Sequence, residues 1–167
     1  MLNSKSLVGI GIGTSLGIIA LVLLLPYAMN TTIDEALPAN AIIETMEDKT
    51  MEVDKSMSIK TYSGKFVGIG DGIHDAQGIV KTIPLDDGNN ILRFENFEAT
   101  NGPDLYVYLS IDNQASDFVN LGRLKANNGN QNYDIPYGTD LSKYDNVLIW
   151  CKAFGVLFGS SQIILQQ

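Results

Sequence analysis

The pattern of apolar and polar positions divides the chain into three parts. Residues 7–29 are almost continuously apolar or small, and residues 30–58 carry seven acidic side chains, two lysines and no aromatic residue. From residue 59 onward, short apolar runs alternate with turn residues. About 20 apolar residues suffice to cross a bilayer as a helix. The pattern predicts a transmembrane segment over residues 7–29, a largely disordered acidic linker over residues 30–58 and a folded domain over residues 59–167.

The apolar runs of the third part are short and rich in β-branched and aromatic residues. Clusters of Asp, Asn and Gly, such as Asp86-Asp-Gly-Asn-Asn90, separate them and favour tight turns. This spacing predicts an all-β fold, an antiparallel β-sandwich or an open barrel. Two segments, Ser116–Leu121 and Asp140–Tyr144, are predicted as helical turns. The predicted strands are Ile59–Val67, Gly78–Ile83, Ile91–Asn96, Leu105–Ser110, Asn132–Ile135, Asn146–Lys152 and Val156–Ile164.

The apolar segment at residues 7–29 is longer than the roughly 7–15 apolar residues of a cleaved secretory signal. We therefore interpret it as an uncleaved signal anchor. Cleavage after Ala28 or Ala41, which would give a secreted protein, stays open as the alternative. Lys5 precedes the segment and acidic residues follow it. The positive-inside rule then places residues 1–6 in the cytoplasm and the folded domain outside the cell membrane.

Three glycines in the anchor, Gly9, Gly13 and Gly17, follow one another at intervals of four. This spacing puts them on one face of a helix, where small residues let two helices approach closely. The pattern predicts a homodimer through the anchor. The alternative is that glycine is simply frequent in membrane helices.

Composition excludes several classes of function. The formal net charge is −8 and no cluster of Lys and Arg is present, so the chain lacks what a nucleic-acid partner requires. No hydrolase, transferase or nucleotide-binding motif is found, and the sequence favours a protein that is not an enzyme. One histidine and one cysteine do not make the usual zinc or blue-copper ligand set, so no metal site is predicted. The sequence identifies no cofactor.

The single cysteine, Cys151, lies in the predicted strand Asn146–Lys152. Alternation along a strand places Val147, Ile149 and Cys151 on one apolar face, so the thiol is predicted to point into the core. A buried cysteine commonly acts as a small apolar residue. A reactive thiol needs a positive neighbour or access to solvent, and the single histidine, His74, is the candidate neighbour.

Several further motifs occur together with this cysteine between Tyr62 and Leu165. They are Gly64-Lys-Phe66, His74-Asp-Ala-Gln-Gly78, Leu92-Arg-Phe-Glu-Asn-Phe97, Gly102-Pro-Asp104 within Thr100–Leu109, Leu121-Gly-Arg-Leu-Lys125, Gly129–Pro136, and Val147–Lys152 with Phe158-Gly159. In kind and order they resemble the DM13 domain, a β-sandwich module found beside DOMON and cytochrome b561 domains on animal cell-surface proteins.

The resemblance to DM13 implies a redox or electron-transfer role. It implies that Cys151 is the redox thiol and that His74 and Asp104 are polar neighbours that tune it. The chain contains no DOMON or b561 segment, so the electron-transfer partner is expected to be a separate protein. The alternative function is a cell-surface binding or adhesion module, whose loops contact a ligand and whose cysteine is structural.

Overall fold

The computed structural model describes residues 30–42 and 60–166. The strands in these ranges form two sheets, in the orders β1-β8-β5-β4-β2-β11 and β3-β10-β9-β6-β7. They are β1 (Thr32–Asp34), β2 (Tyr62–Lys65), β3 (Val67–Gly68), β4 (Ala76–Pro84), β5 (Asn90–Ala99), β6 (Leu105–Ser110), β7 (Phe118–Arg123), β8 (Asn128–Ile135), β9 (Asn146–Cys151), β10 (Val156–Gln162) and β11 (Ile164–Leu165). The strand pairings are antiparallel except that between β1 and β8. The two sheets share one apolar core, which confirms the predicted all-β sandwich.

The core follows from the alternation of side chains along each strand. Val147, Ile149 and Cys151 of β9 are fully buried and belong to the same cluster as side chains of the first sheet. The chain crosses between the sheets at Phe66, which separates β2 from β3. The Phe66 ring packs edge-on against Phe94 of β5, with centroids 4.9 Å apart, a favourable arrangement of aromatic rings.

Residues 31–42, here called the N-terminal strap, belong to the β domain. In β1, Thr32 lies opposite Asn128 of β8. Farther along the strap, the Ile42 amide donates to the Pro84 carbonyl of β4 at 2.9 Å. The prediction of a disordered linker over residues 30–58 therefore does not hold for the strap.

Polar contacts around Glu35 fix the strap to the first sheet. The Lys125 ammonium donates to Glu35 at 2.8 Å, and the Asn132 amide donates to Glu35 Oε2 at 2.6 Å. Arg93, which is buried, donates to the Glu35 carbonyl at 2.9 Å. Burial opposes ionisation of Glu35, but the hydrogen bonds from Lys125 and Asn132 outweigh it and lower the pKa of the carboxyl.

The two predicted helical turns have different outcomes. Ser116–Leu121 was expected to be helical, but most of it lies in strand β7, so that prediction is wrong. Pairing of β7 with β6 places the Phe118 ring in a stack on Tyr108, with centroids 4.1 Å apart. In Asp140–Tyr144 the Tyr144 amide donates to the Asp140 carbonyl at 2.9 Å, four residues back, which confirms a single turn of helical type.

The predicted anchor over residues 7–29, its glycines and the linker beyond the strap up to residue 58 lie outside the described residues. Residues 30–42 and 60–166 contain no helix with the length and apolar character needed to cross a bilayer.

We predict that Glu35→Gln destabilises the domain near neutral pH by about 1 kcal/mol, because it removes the charge that accepts hydrogen bonds from Lys125 and Asn132. The pKa of Glu35 is lower in the folded chain than its ordinary value of 4.5. The stabilisation is therefore present above that value and is lost as the pH falls through the folded-state pKa.

The measurement is urea unfolding of the wild type and of Glu35→Gln, from neutral pH down to below the pKa of Glu35. Fluorescence of Trp150, the single tryptophan, reports unfolding. Glu98→Gln, at an exposed carboxylate of β5, is the matched control and should have little effect. Equal stability of wild type and Glu35→Gln at neutral pH would contradict this account of the strap.

Candidate functional site

One end of the sandwich gathers the loops that carry the sequence motifs. It is formed by residues 69–75, 100–104, 124–127 and 152–155, and we call it the motif end. These loops meet because only five residues separate β5 from β6, and because β9 turns back into β10 at the same end. The opposite end is formed by residues 85–89, 111–117 and 136–145, and we call it the far end.

His74 is held by an acidic residue three positions earlier. The Asp71 carboxylate accepts hydrogen bonds from the amides of Ile73 at 2.8 Å and His74 at 2.7 Å. Its second oxygen lies 2.6 Å from His74 Nδ1. Hydrogen bonds from the His74 amide, the His74 ring and the Ile73 amide lower the pKa of Asp71 to about 2. The Asp71 carboxylate thus fixes both the loop and the direction of the imidazole.

The His74 ring also packs on the core. It meets the buried Phe158 ring edge-on, with centroids 4.5 Å apart. Phe158 lies in β10 at the position where the pairing with β9 shifts register. This β-bulge directs Phe158 inward and connects the His74 loop with the core.

The second motif, Gly102-Pro-Asp104, lies against the same phenylalanine. A Cβ atom added to Gly102 would stand 2.8 Å from Phe158 Cζ and 2.9 Å from Leu105 Cδ2. Only glycine therefore fits at position 102 while both side chains keep their places. The absence of a side chain lets the loop close over Phe158.

Asp104 is placed by two contacts. Its carboxylate accepts a hydrogen bond from Arg123 Nη2 at 2.5 Å, and its carbonyl accepts from the Lys152 amide at 2.9 Å. The second contact ties Asp104 to the residue that follows Cys151. Arg123 Nε also donates to the Tyr106 hydroxyl at 3.3 Å.

Cys151 lies behind these loops and has no exposed surface. It pairs with Leu105 and Val156, the first residues of β6 and β10, and its carbonyl accepts from the Gly155 amide at 2.9 Å. The thiol therefore points into the core, as the alternation of β9 predicted. The next four residues, 152–155, are all exposed.

The fold brings His74, Asp104 and Cys151 to one end of the sandwich. Among the described residues, no hydrogen bond joins the thiol to His74 or Asp104. Leu105, which pairs with Cys151, and Phe158, which contacts the His74 ring, both lie against Gly102. The thiol is therefore connected with His74 and Asp104 through packing and through the backbone hydrogen bond between Lys152 and Asp104.

The comparison with known families bears on this end of the molecule. The profile of the family described as Electron transfer DM13 matches residues 65–163, more than half of the chain. The chain belongs to the DM13 family. The matched range contains His74, Gly102, Asp104 and Cys151. Neither the curated proteins nor the solved structures that were searched gave a match.

The part of the DM13 domain that the structure describes contains no cluster of potential metal ligands. There, no group of three or more His, Cys, Asp and Glu side chains is arranged to hold an ion.

The sequence analysis assigned no role to three residues that build the motif end of this DM13 domain: Asp71, Phe158 and Arg123. The spacing of Asp71 and His74 is a signal for a local turn in which an aspartate accepts the following amides. The role of Phe158 depends on a β-bulge, and that of Arg123 depends on pairing between β6 and β7. Neither of these two features has a local sequence signature.

We predict that Gly102→Ala destabilises the DM13 domain by about 1–3 kcal/mol, because the new methyl group must displace two packed side chains. It should also shift the NMR signals of the His74 ring, since Phe158 has to move. Gly88→Ala is the control, because Gly88 has positive φ and no atom near its missing Cβ. It should cost stability and leave the His74 signals in place. Unchanged His74 signals in Gly102→Ala would contradict this packing.

Proposed function

We propose that this DM13 protein is a membrane-anchored, extracytoplasmic electron-transfer module in which Cys151 is the redox thiol. The observation that carries the proposal is the meeting of the His74 loop, the Gly102-Pro-Asp104 loop and Cys151 at one end of a domain that matches an electron-transfer family. The electron donor and acceptor are separate redox proteins.

The anchor is supported by the sequence. The apolar segment over residues 7–29 is long enough to cross a bilayer, and Lys5 before it favours a cytoplasmic N-terminus. The spacing of Gly9, Gly13 and Gly17 supports association of two anchors in a homodimer.

Reaction at Cys151 requires the buried thiol to become accessible. Its position supports a small local opening, because Cys151 ends β9 and the exposed turn 152–155 follows it. Segments with few buried contacts open at a lower free-energy cost than the whole domain. Release of the hydrogen bond from the Gly155 amide and of that between Lys152 and Asp104 would free the turn. The rest of β9 stays paired.

The chemistry is thiol–disulfide exchange. The Cys151 thiol loses its proton, its sulfur attacks a disulfide of one partner protein, and the partner's second sulfur leaves and takes up a proton. A dithiol on a second redox protein then breaks the mixed disulfide and leaves as a disulfide. This step returns Cys151 to the thiol and leaves the first partner fully reduced. Two electrons thus pass between the two partners.

His74 and Asp104 are positioning residues in this proposal. Asp104 holds Lys152, which begins the turn, and His74 holds Phe158 against the Gly102 loop. Both therefore control how readily the turn opens over Cys151.

The second candidate is a cell-surface binding or adhesion module with a structural cysteine. One observation favours it: Cys151 lies entirely within the apolar core, where a thiol serves as a small packing residue. The two candidates differ in whether Cys151 becomes accessible while the rest of the domain stays folded.

The test is the rate at which a thiol reagent labels Cys151 in the full chain in detergent micelles, as a function of urea. Cys151 is the only cysteine and Trp150 the only tryptophan, so labelling and unfolding are each reported by one residue. We expect labelling at low urea to be nearly independent of urea, because a local opening exposes little surface. Labelling that follows global unfolding at every urea concentration would favour the binding module.

Two glycine variants sharpen the test. Gly155 in the turn and Gly138 at the far end both have positive φ and no atom near the missing Cβ, so alanine strains both turns alike. The strain is about 1–2 kcal/mol per residue. Gly155→Ala should accelerate labelling at low urea by about tenfold, since opening relieves that strain. Gly138→Ala should not, and equal acceleration by both variants would contradict a local opening at Cys151.

A further inference from the structure

The strap begins at the motif end and is fixed from its first residue. The Thr31 amide donates to Asn127 Oδ1 at 2.6 Å, and the Thr31 carbonyl accepts from the Asn128 amide at 3.0 Å. Asn127 is itself buried and donates to the Ala99 carbonyl at 3.2 Å. Because β8 starts at Asn128 and β5 ends at Ala99, Thr31 lies at the motif end.

The sequence places the predicted anchor directly before this fixed point. The apolar segment ends at Met29, so Asn30 is the one residue between it and Thr31. A residue spans at most about 3.6 Å of extended chain. The headgroup layer on each side of a bilayer is about 5–8 Å thick. A membrane anchor that ends at Met29 would therefore leave Thr31 within one residue's length of the headgroup layer.

Large apolar side chains project from the loops of the motif end. Ile73 is 71% exposed beside His74, and Phe154 is 72% exposed in the turn after Cys151. Ile69, in the same loop as Ile73, is also exposed. Phe154 lies in the turn between β9 and β10 of the second sheet, and Ile73 lies in the loop from β3 to β4. Thr31 precedes β1, the edge strand of the first sheet. If the Ile73 and Phe154 loops and the start of β1 all contacted one surface, the strands would stand roughly perpendicular to that surface.

Charge distinguishes the two ends. The loops of the far end carry six aspartates and one lysine, Lys143. Those of the motif end carry three aspartates, Asp71, Asp75 and Asp104, and two lysines, Lys125 and Lys152. The far end is therefore the more acidic of the two, and acidic side chains are repelled wherever a membrane surface carries anionic headgroups. The aspartates of the far end are Asp86, Asp87, Asp112, Asp117, Asp140 and Asp145.

We infer that the motif end rests on the bilayer surface, with Ile73 and Phe154 inserted among the headgroups. The lipid membrane in which the chain is anchored thus covers this apolar surface. The inference rests on the anchor in the proposed function and adds the orientation of the domain. It places the turn over Cys151 at the membrane and the acidic far end away from it.

The test uses the full chain in lipid vesicles, with single tryptophans as probes of lipid contact. In a Trp150→Phe background, Ile73→Trp, Phe154→Trp and Tyr137→Trp are compared for fluorescence quenching by lipids brominated near the headgroup end of their acyl chains. Tyr137 is 89% exposed at the far end and provides the matched control. All three probes replace exposed side chains, so the core is unchanged. Extraction with alkaline carbonate separately reports whether the chain is anchored.

We expect that the chain resists extraction. We also expect that quenching is at least about twofold stronger at positions 73 and 154 than at position 137. A chain that resists extraction with equal or weaker quenching at 73 and 154 overturns the orientation and leaves the anchor intact. A chain that carbonate extracts overturns both the anchor and the orientation.

Discussion

The structure depends on one apolar layer shared by two sheets. Phe66 lies at a crossing between them, after β2 of the first sheet and before β3 of the second, and its ring packs against both Phe94 and Phe97. Burial of such rings from both sheets supplies the main favourable free energy of a small sandwich. With the sheets fixed in this way, the loops at each end have little freedom.

The motif end is a consequence of that constraint. β5, β6, β9 and β10 all start or stop there, so residues far apart in sequence meet: the loop of His74, the loop of Gly102 and the turn after Cys151. The His74 and Gly102 loops meet through packing on Phe158 and through hydrogen bonds between Asp75 and Thr100, and the Gly102 loop meets the turn through the Lys152 amide and the Asp104 carbonyl. A site assembled in this way can transmit movement of a loop to the turn beside Cys151. If the domain also rests on the membrane by this end, the redox partners that reach Cys151 are proteins held at the same bilayer.

Features of the fold that follow from local pattern were predictable. The alternation in β9 predicted the inward direction of Cys151, and five of the seven predicted strands match the observed ones closely. The prediction Asn132–Ile135 covers only the second half of β8, and Ile59–Val67 runs through the crossing at Phe66. Strand β7 was not predictable, because Asn120 and Gly122 weaken its apolar pattern and it forms by pairing with β6. The strap was missed for a similar reason. Its acidic composition resembles a linker, and the groups that fix it, such as Asn127 and Lys125, lie about ninety positions away in sequence.

For the candidate site, the sequence predicted the residues but not the contacts that position them. His74, Asp104 and Cys151 came from motifs, and the structure adds that Asp71 and Phe158 hold His74 while Arg123 holds Asp104. These relations depend on loop closure, a β-bulge and strand pairing, which act over long distances in the chain. No local pattern records them.

The central claim is that Cys151 exchanges electrons while the domain is folded. The most direct measurement is the intact mass of the full chain in lipid vesicles after equilibration in glutathione redox buffers, with folding monitored by Trp150 fluorescence. The account predicts a folded chain that gains one glutathione as the buffer becomes oxidising and loses it on return to reducing conditions. A chain that keeps its free thiol in every buffer until it unfolds would contradict the claim.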